Sequence, residues 1–375
     1  MRGHRWIIFL LVLWILSLLL AACSSGKTAT PPTPSPTVQP TVSTPAPVPS
    51  PISPTPVPPS SPIASPSPTL PVPSATLAPA CSPLYFRPVA FFPDGWRVLG
   101  FTEAGPAIFN LQTLAQESLI KTSRPVDKAA LSTDGQTLAL ALDDFTIQLV
   151  HISDQKLLHT LKGHTARVDA LKFSPSGDRL FSGSYDSWVR AWDLNGKLIS
   201  AFQPGGGEVF GLGVSPDATR LATVTFEGPP RLWDLTTGKA LLDLGSGGAF
   251  SGAEAAFSPD GSELAIGLGG CPVSLWKLPE GAQLWSGGNY ALALSPDGSY
   301  LAVSEMDESG NNLVGLRSAG GAQLLRTLEG HPSMVWKLIF SPDSARLLSA
   351  DDMELRMWDV TSGALMLRLN TQCPQ

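Results

Sequence analysis

Clusters of basic residues are missing from this 375-residue chain, and no run of like charge exceeds a few residues. The formal charge is −6, and it falls to −9 for residues 81–375 once Arg2, Arg5 and Lys27 are set aside. Phosphate backbones and anionic bilayers attract proteins through clustered Lys and Arg, so neither nucleic acid nor direct docking on lipid headgroups is expected. Histidine is scarce, at five residues. His4 lies in an apolar head, and His151 and His159 have no Cys or carboxylate at a spacing suited to zinc. There is no HExxH and no G-x-S-x-G. The pattern S-x-x-K occurs at Ser153–Lys156 and at Ser24–Lys27, but in a penicillin-binding enzyme it opens a helix, and neither place reads as one. Asp307, Glu308, Asn311 and Asn312 sit close together without the spacing of an EF-hand loop, so they read as a solvated turn. The expectation is a protein with no metal, no cofactor and no catalysis of its own.

Charge is also absent from Thr28 to Phe86. The stretch to Pro79 is almost all Pro, Ser, Thr, Val and Ala, which cannot form a core or a helix. Proline lacks the amide proton and fixes φ, so this segment reads as a semi-rigid polyproline II spacer of about 3.1 Å per residue. Before it stand a basic start and a 17-residue uncharged run, Trp6 to Ala22, followed by Cys23. This is an export signal, with an uncleaved anchor as the alternative. Leu20-Ala21-Ala22-Cys23 resembles the lipobox of bacterial lipoproteins, which implies cleavage before Cys23 and lipidation of its thiol. One acyl chain holds a protein only marginally, at about 0.8 kcal/mol per buried CH₂, so two or three chains on Cys23 would make a stable anchor. The expected layout is a signal peptide over 1–22, a lipidated linker over 23–80 and one folded domain over 81–375. Its place is on the extracytoplasmic surface of a bacterial membrane.

The folded part repeats. A turn motif recurs as FFPDG (91–95), LSTDG (131–135), FSPSG (173–177), VSPDA (214–218), FSPDG (257–261), LSPDG (294–298) and FSPDS (340–344). The seven copies are spaced 37 to 46 residues apart. Short alternating apolar stretches flank each copy, so each reads as a hairpin in which proline sets φ and Asp and Gly take later turn positions. A third strand ends in AWDL (191–194), LWDL (232–235), LWKL (275–278) or MWDV (357–360), and a fourth follows. Four short strands repeated seven times predict an all-β, seven-bladed propeller with four antiparallel strands per blade.

With those motifs in place, the chain resembles the WD40-repeat family across 81–375. Repeat three carries Gly163-His164, Ser182, Asp186 and Trp192, and repeat seven carries Gly330-His331, Ser349, Asp352 and Trp358. The resemblance implies that His164, Ser182, Asp186 and Trp192, and likewise His331, Ser349, Asp352 and Trp358, form buried hydrogen-bonded tetrads. Phe109, Val150 and Leu316 replace the tryptophan in repeats one, two and six, and repeats four and five lack the Gly-His. Those blades are expected to rely on apolar packing. Periplasmic TolB-like propellers, with similar SPDG hairpins, are the nearest competing relatives.

The first and last strands complete blades one and seven in phase, so no strand exchange is expected. Aligned on the repeat, Cys81 and Cys373 fall on the same seam, and a Cys81–Cys373 disulfide is predicted in an exported protein. It would close a 293-residue loop, worth roughly 5–6 kcal/mol in the chain-entropy model. Cys271, two blades away, is expected to be a buried free thiol.

WD40-like proteins bind through the face made by the loops before the innermost strands and between second and third strands. Carried over by alignment, this picks out Tyr85, Arg167, Tyr185, Glu208, Phe226 and Met334 as a protein-binding face, since aromatic and Arg side chains suit hot spots. The expected function is that of a monomeric, lipid-tethered scaffold or receptor for a protein or peptide. The alternatives are a hydrolase or glycan-binding protein with its site in the central funnel, using acids such as Glu208 or Asp143, or a TolB-like part of an envelope assembly.

Overall fold

The computed structural model describes Phe86–Asn370 apart from Ser246, Phe250, Ser251, Gly270 and Gly321. The signal segment, Cys23, the linker, Cys81, Tyr85 and Cys373 therefore lie outside the described residues. The described residues form seven sheets of four consecutive strands, paired antiparallel, with no helix. This is the predicted seven-bladed propeller.

The hairpin motif depends on a residue the sequence reading passed over. In six blades the serine at the second place of the motif, before proline in five and before Thr133 in blade two, ties the turn together. The hydroxyls of Ser132, Ser215, Ser258, Ser295 and Ser341 donate to the Asp two residues on at 2.5 to 2.6 Å, and that of Ser174 donates to Asp178 at 2.8 Å. The same oxygens accept the amides of Thr137, Arg179, Arg220, Glu263, Tyr300 and Arg346, each five residues downstream. In blade one Phe92 replaces the serine, and Asp94 alone accepts the Trp96 and Arg97 amides. The fifth motif position takes a positive φ in every blade, as at Gly135 and Gly261, which glycine adopts without a steric cost. Ala218 and Ser344 hold it at φ 54° and 58°.

Each blade buries both faces against its neighbours. Seven apolar clusters of buried residues are present, one at each blade-to-blade junction. The innermost strands, Arg87–Phe91, Val126–Leu131, Val168–Phe173, Val209–Val214, Glu254–Phe257, Leu292–Leu294 and Lys337–Phe340, touch one another in turn around a closed ring. Blades one and seven are each complete within their own stretch of chain, so the ring closes without strand exchange, as expected. Phe86, Phe91 and Val98 of blade one pack with Leu348, Ala350 and Met357 of blade seven. The Arg346 guanidinium lies 4.2 Å from the centre of the Trp96 ring, and Arg87 lies over Trp336 at 5.6 Å. Stacked cations of this kind add to the apolar contact across the seam.

Cys271 departs from expectation. It is buried in the turn between the second and third strands of blade five, but it is disulfide-bonded and carries no free thiol. The other three cysteines, Cys23, Cys81 and Cys373, lie outside the described residues, and so does the partner. Position in the repeat shows which face a cysteine occupies; it does not show which cysteine it joins.

Candidate protein-binding face

An up-and-down blade sends its chain to two opposite faces of the ring. The hairpin face carries the Ser-Pro-Asp-Gly turns and the turns between third and fourth strands. The connection face carries the links between blades and the turns between second and third strands.

On the connection face the predicted tetrads are present, with one correction. In blade three Trp192 Nε1 donates to Ser182 Oγ at 2.9 Å. Ser182 Oγ and His164 Nε2 are 2.8 Å apart, and His164 Nδ1 and Asp186 Oδ2 2.9 Å. One chain of donors satisfies all three contacts: indole to hydroxyl, hydroxyl to imidazole, imidazole to carboxylate. Burial lowers the His164 pKa, with Asp186 opposing, so the ring stays neutral. Burial alone would raise Asp186, but hydrogen bonds from His164 and from the Thr165 and Trp188 amides hold it below the usual range. In blade seven Trp358, Ser349 and His331 repeat the arrangement at 2.7 and 2.6 Å, but the carboxylate is Asp351 and not Asp352. Asp351 lies two residues after Ser349 and seven before Trp358, against four and six for Asp186 between Ser182 and Trp192, so the spacing of blade three does not carry over to blade seven. These Ser, His and Asp side chains are buried and spent on one another, out of reach of a substrate.

Four of the proposed binding residues converge at blades three and four. Arg167 is exposed, lies 5.9 Å from the Tyr185 ring centre, and faces Asp127 and Asp169 at 3.8 and 3.4 Å. Its carbonyl accepts the Tyr185 amide, and the Glu208 carbonyl accepts the Phe226 amide. Between Tyr185 and Phe226 stands buried Phe210, edge-on to both at 5.2 and 6.1 Å. Burial raises the Tyr185 pKa, helped by Asp169, so its hydroxyl remains a neutral donor. Asp169 is fully buried with neither oxygen hydrogen-bonded; Lys128 and Arg167 face it at 3.5 and 3.4 Å. Met334 stands apart, on the link between blades six and seven.

The structure adds residues that the alignment missed. The large apolar side chains left exposed, outermost strands aside, are Phe145 (37%), Phe226 (42%), Met306 (52%), Met334 (40%) and Met353 (45%). All five lie on the connection face. None of the exposed large apolar side chains among the described residues lies in a turn of the hairpin face. Phe145 and Met353 follow the second turn residue, where a repeat comparison restricted to the position before the aspartate does not look. Phe145 is also held at φ 68°, an unusual backbone for an aromatic residue. Met306 stands at the end of a hairpin in blade six that is longer than its counterparts, pairing as far as Met306 with Asn312.

Two acidic groups that the sequence offered for chemistry, Asp143 and Asp307, are engaged otherwise. Asp143 is paired with Arg124 at 2.6 Å. Asp307 accepts the Ser309 and Asn311 amides and the Asn311 side chain, which closes the blade-six turn. Among the described residues no three His, Cys, Asp or Glu are grouped as metal ligands.

Residues 155–193 and 322–359 match the family described as WD domain, G-beta repeat. The COMPASS component SWD3 of Saccharomyces cerevisiae is 36% identical over 36% of this chain and 43% of its own. The U3 small nucleolar RNA-associated protein 15 homolog of Xenopus tropicalis is 26% identical over 68% of this chain and 48% of its own. The WD repeat-containing protein SL1-17 of Schistosoma mansoni is 32% identical over 50% of this chain and 64% of its own. The chain thus spans less than half the length of the first two relatives. Both matched segments contain a Gly-His followed by a Trp-Asp, so the chain carries WD40 repeats at blades three and seven of its propeller.

Proposed function

We propose that this protein is a non-catalytic scaffold that holds a protein or peptide on the connection face, tethered to the extracytoplasmic side of a membrane through lipid on Cys23. The carrying observation is the one-sided distribution of exposed Phe and Met. Desolvating such side chains is favourable, at about 25 cal/mol per Å², and methionine adapts its shape to varied partners. Arg167, Tyr185 and Glu208 supply polar contacts beside them, in the mixture that hot spots favour. The similar proteins include a COMPASS component and a U3 small nucleolar RNA-associated protein, each named for what it joins, which agrees with a role in holding partners. The tether and the compartment rest on the lipobox-like Leu20-Ala21-Ala22-Cys23 and the spacer that follows.

Crosslinking in intact cells followed by mass spectrometry tests this reading. Wild-type chain is compared with a variant substituted at Tyr185, Phe226 and Met334 by serine. The expected result is loss of one or more specific partners from the variant; identical partner sets overturn the choice of face.

A further inference from the structure

Carboxylates on the two faces of the ring are used differently. On the hairpin face the motif aspartates close their own turns, as where Asp134, Asp217 and Asp260 accept the serine hydroxyl and the amide two residues on. On the connection face Glu103, Glu227 and Glu308 stand exposed in the turns between second and third strands of blades one, four and six. Half-buried Glu208 immediately precedes the inner strand of blade four. Among the described residues, none of these four side chains has a hydrogen bond or an ion pair.

These carboxylates adjoin the exposed apolar side chains. Glu227 follows Phe226 in the chain, and the Glu208 carbonyl accepts the Phe226 amide, so two acidic residues flank that phenylalanine. Glu308 follows Met306 by two residues, on a turn whose Asp307 is already engaged. Beside Phe145, Asp143 and Asp144 share the single guanidinium of Arg124. Asp127 and Asp169 are matched by Lys128 and Arg167. The loop cations without an ion pair among the described residues are Lys121 and Lys162. Each lies within two residues of the end of an outermost strand, Ala115–Leu119 or Leu157–Leu161, and so stands at the rim. The inner part of the face therefore carries uncompensated negative charge beside its apolar surface.

We propose that the segment held on the connection face is basic as well as apolar, with Lys or Arg standing next to Leu, Met or Phe. The inference rests on the reading of that face as the docking surface and adds the chemistry of its partner. A neutral or acidic partner seated on Phe226 and Met306 would strip water from Glu208, Glu227 and Glu308 and leave them without a counter-charge, which is costly. A cation beside each apolar anchor supplies that counter-charge, and opposite potentials speed encounter and fix register. Arginine can also stack on the exposed rings of Phe145 and Phe226.

Fluorescence anisotropy with the full chain tests this, using three labelled peptides built as repeats of Lys-Leu-Ser, of Glu-Leu-Ser and of Lys-Ser-Ser. The Lys-Leu-Ser peptide is expected to bind about tenfold or more tighter than either of the others, and to weaken as salt rises. Glu227→Lys is expected to weaken that binding by about fivefold to twentyfold. Glu280→Lys makes the same change of charge in an exposed turn of the hairpin face and is expected to leave it within about twofold. Equal or tighter binding of the Glu-Leu-Ser peptide overturns the basic partner while leaving an apolar docking face in place. Equal binding of the Lys-Ser-Ser peptide, or equal weakening by both substitutions, overturns it as well, since net charge alone would then account for the attraction. Absence of binding by all three peptides also overturns it, and the crosslinking comparison at Tyr185, Phe226 and Met334 then decides the docking face by itself. If Glu227→Lys fails to fold, the contrasts among the peptides on the wild-type chain decide.

Discussion

Ser182 and Ser258 show how much of this protein rests on single hydroxyls. Ser182 receives the Trp192 indole and contacts His164, all three buried. Replacing it with alanine leaves an indole N–H and an imidazole nitrogen without partners. Ser182→Ala is expected to cost about 1–3 kcal/mol in denaturant unfolding. Ser258 acts on an exposed turn. Donation from its hydroxyl, with the Ser262 amide and hydroxyl, lowers the Asp260 pKa to about 2, and Ser215 with Thr219 does the same for Asp217. A carboxyl depressed in the folded state adds stability above its unfolded pKa of about 4, and that contribution is lost as pH falls through its folded value. Melting temperature is therefore expected to fall between about pH 4 and pH 2, and Ser258→Ala is expected to move the Asp260 titration, followed by NMR, upward toward the unfolded value. The tetrad of blade three was legible because His164, Ser182, Asp186 and Trp192 stand at repeat-matched places. Asp351 was not, because its distances to Ser349 and Trp358 both differ from those of Asp186 to its own serine and tryptophan, and sequence spacing cannot see which of two adjacent carboxylates faces the imidazole.

At the scale of the element, the hairpin turn is the unit that the chain repeats. Its proline and aspartate announce it in sequence, but the serine between strand and proline is the hub, since its oxygen both donates and accepts. The left-handed fifth position of the motif shows a departure that can be reversed. Ala218 occupies it at φ 54°, where a Cβ is strained, so Ala218→Gly is expected to stabilise the protein by about 0.5–1 kcal/mol in denaturant unfolding. Loss of stability instead would mean that the turn gains more from the restricted unfolded state than it loses to strain. Bulges explain what stayed illegible at this scale. The pairing of first with second strands shifts at Pro88/Ala90, Val126/Lys128, Gly183/Ser184 and Val209/Gly211. A one-residue shift changes which face a side chain joins, so no alternation rule places Asp169 under Lys128 and Arg167.

For the whole molecule, the number of blades and the closure of the ring were readable because both follow from local, repeated signals. The binding face was readable only in part. Arg167, Tyr185, Glu208 and Phe226 do gather, but Phe145, Met306 and Met353 declare themselves through exposure, which sequence does not give. Cys271 makes the same point for covalent structure, since its place in the repeat did not disclose that it is disulfide-bonded. What unifies the account is that one face of the ring is apolar and adaptable while the opposite face is a set of polar turns. A photoreactive residue placed in turn at Phe145, Phe226 and Met353, and at Thr236 and Ser362 on the hairpin face, reads this directly in intact cells. The account predicts discrete protein adducts from the first three positions and none from the last two; adducts from the hairpin-face positions alone, or equally from both faces, would contradict it.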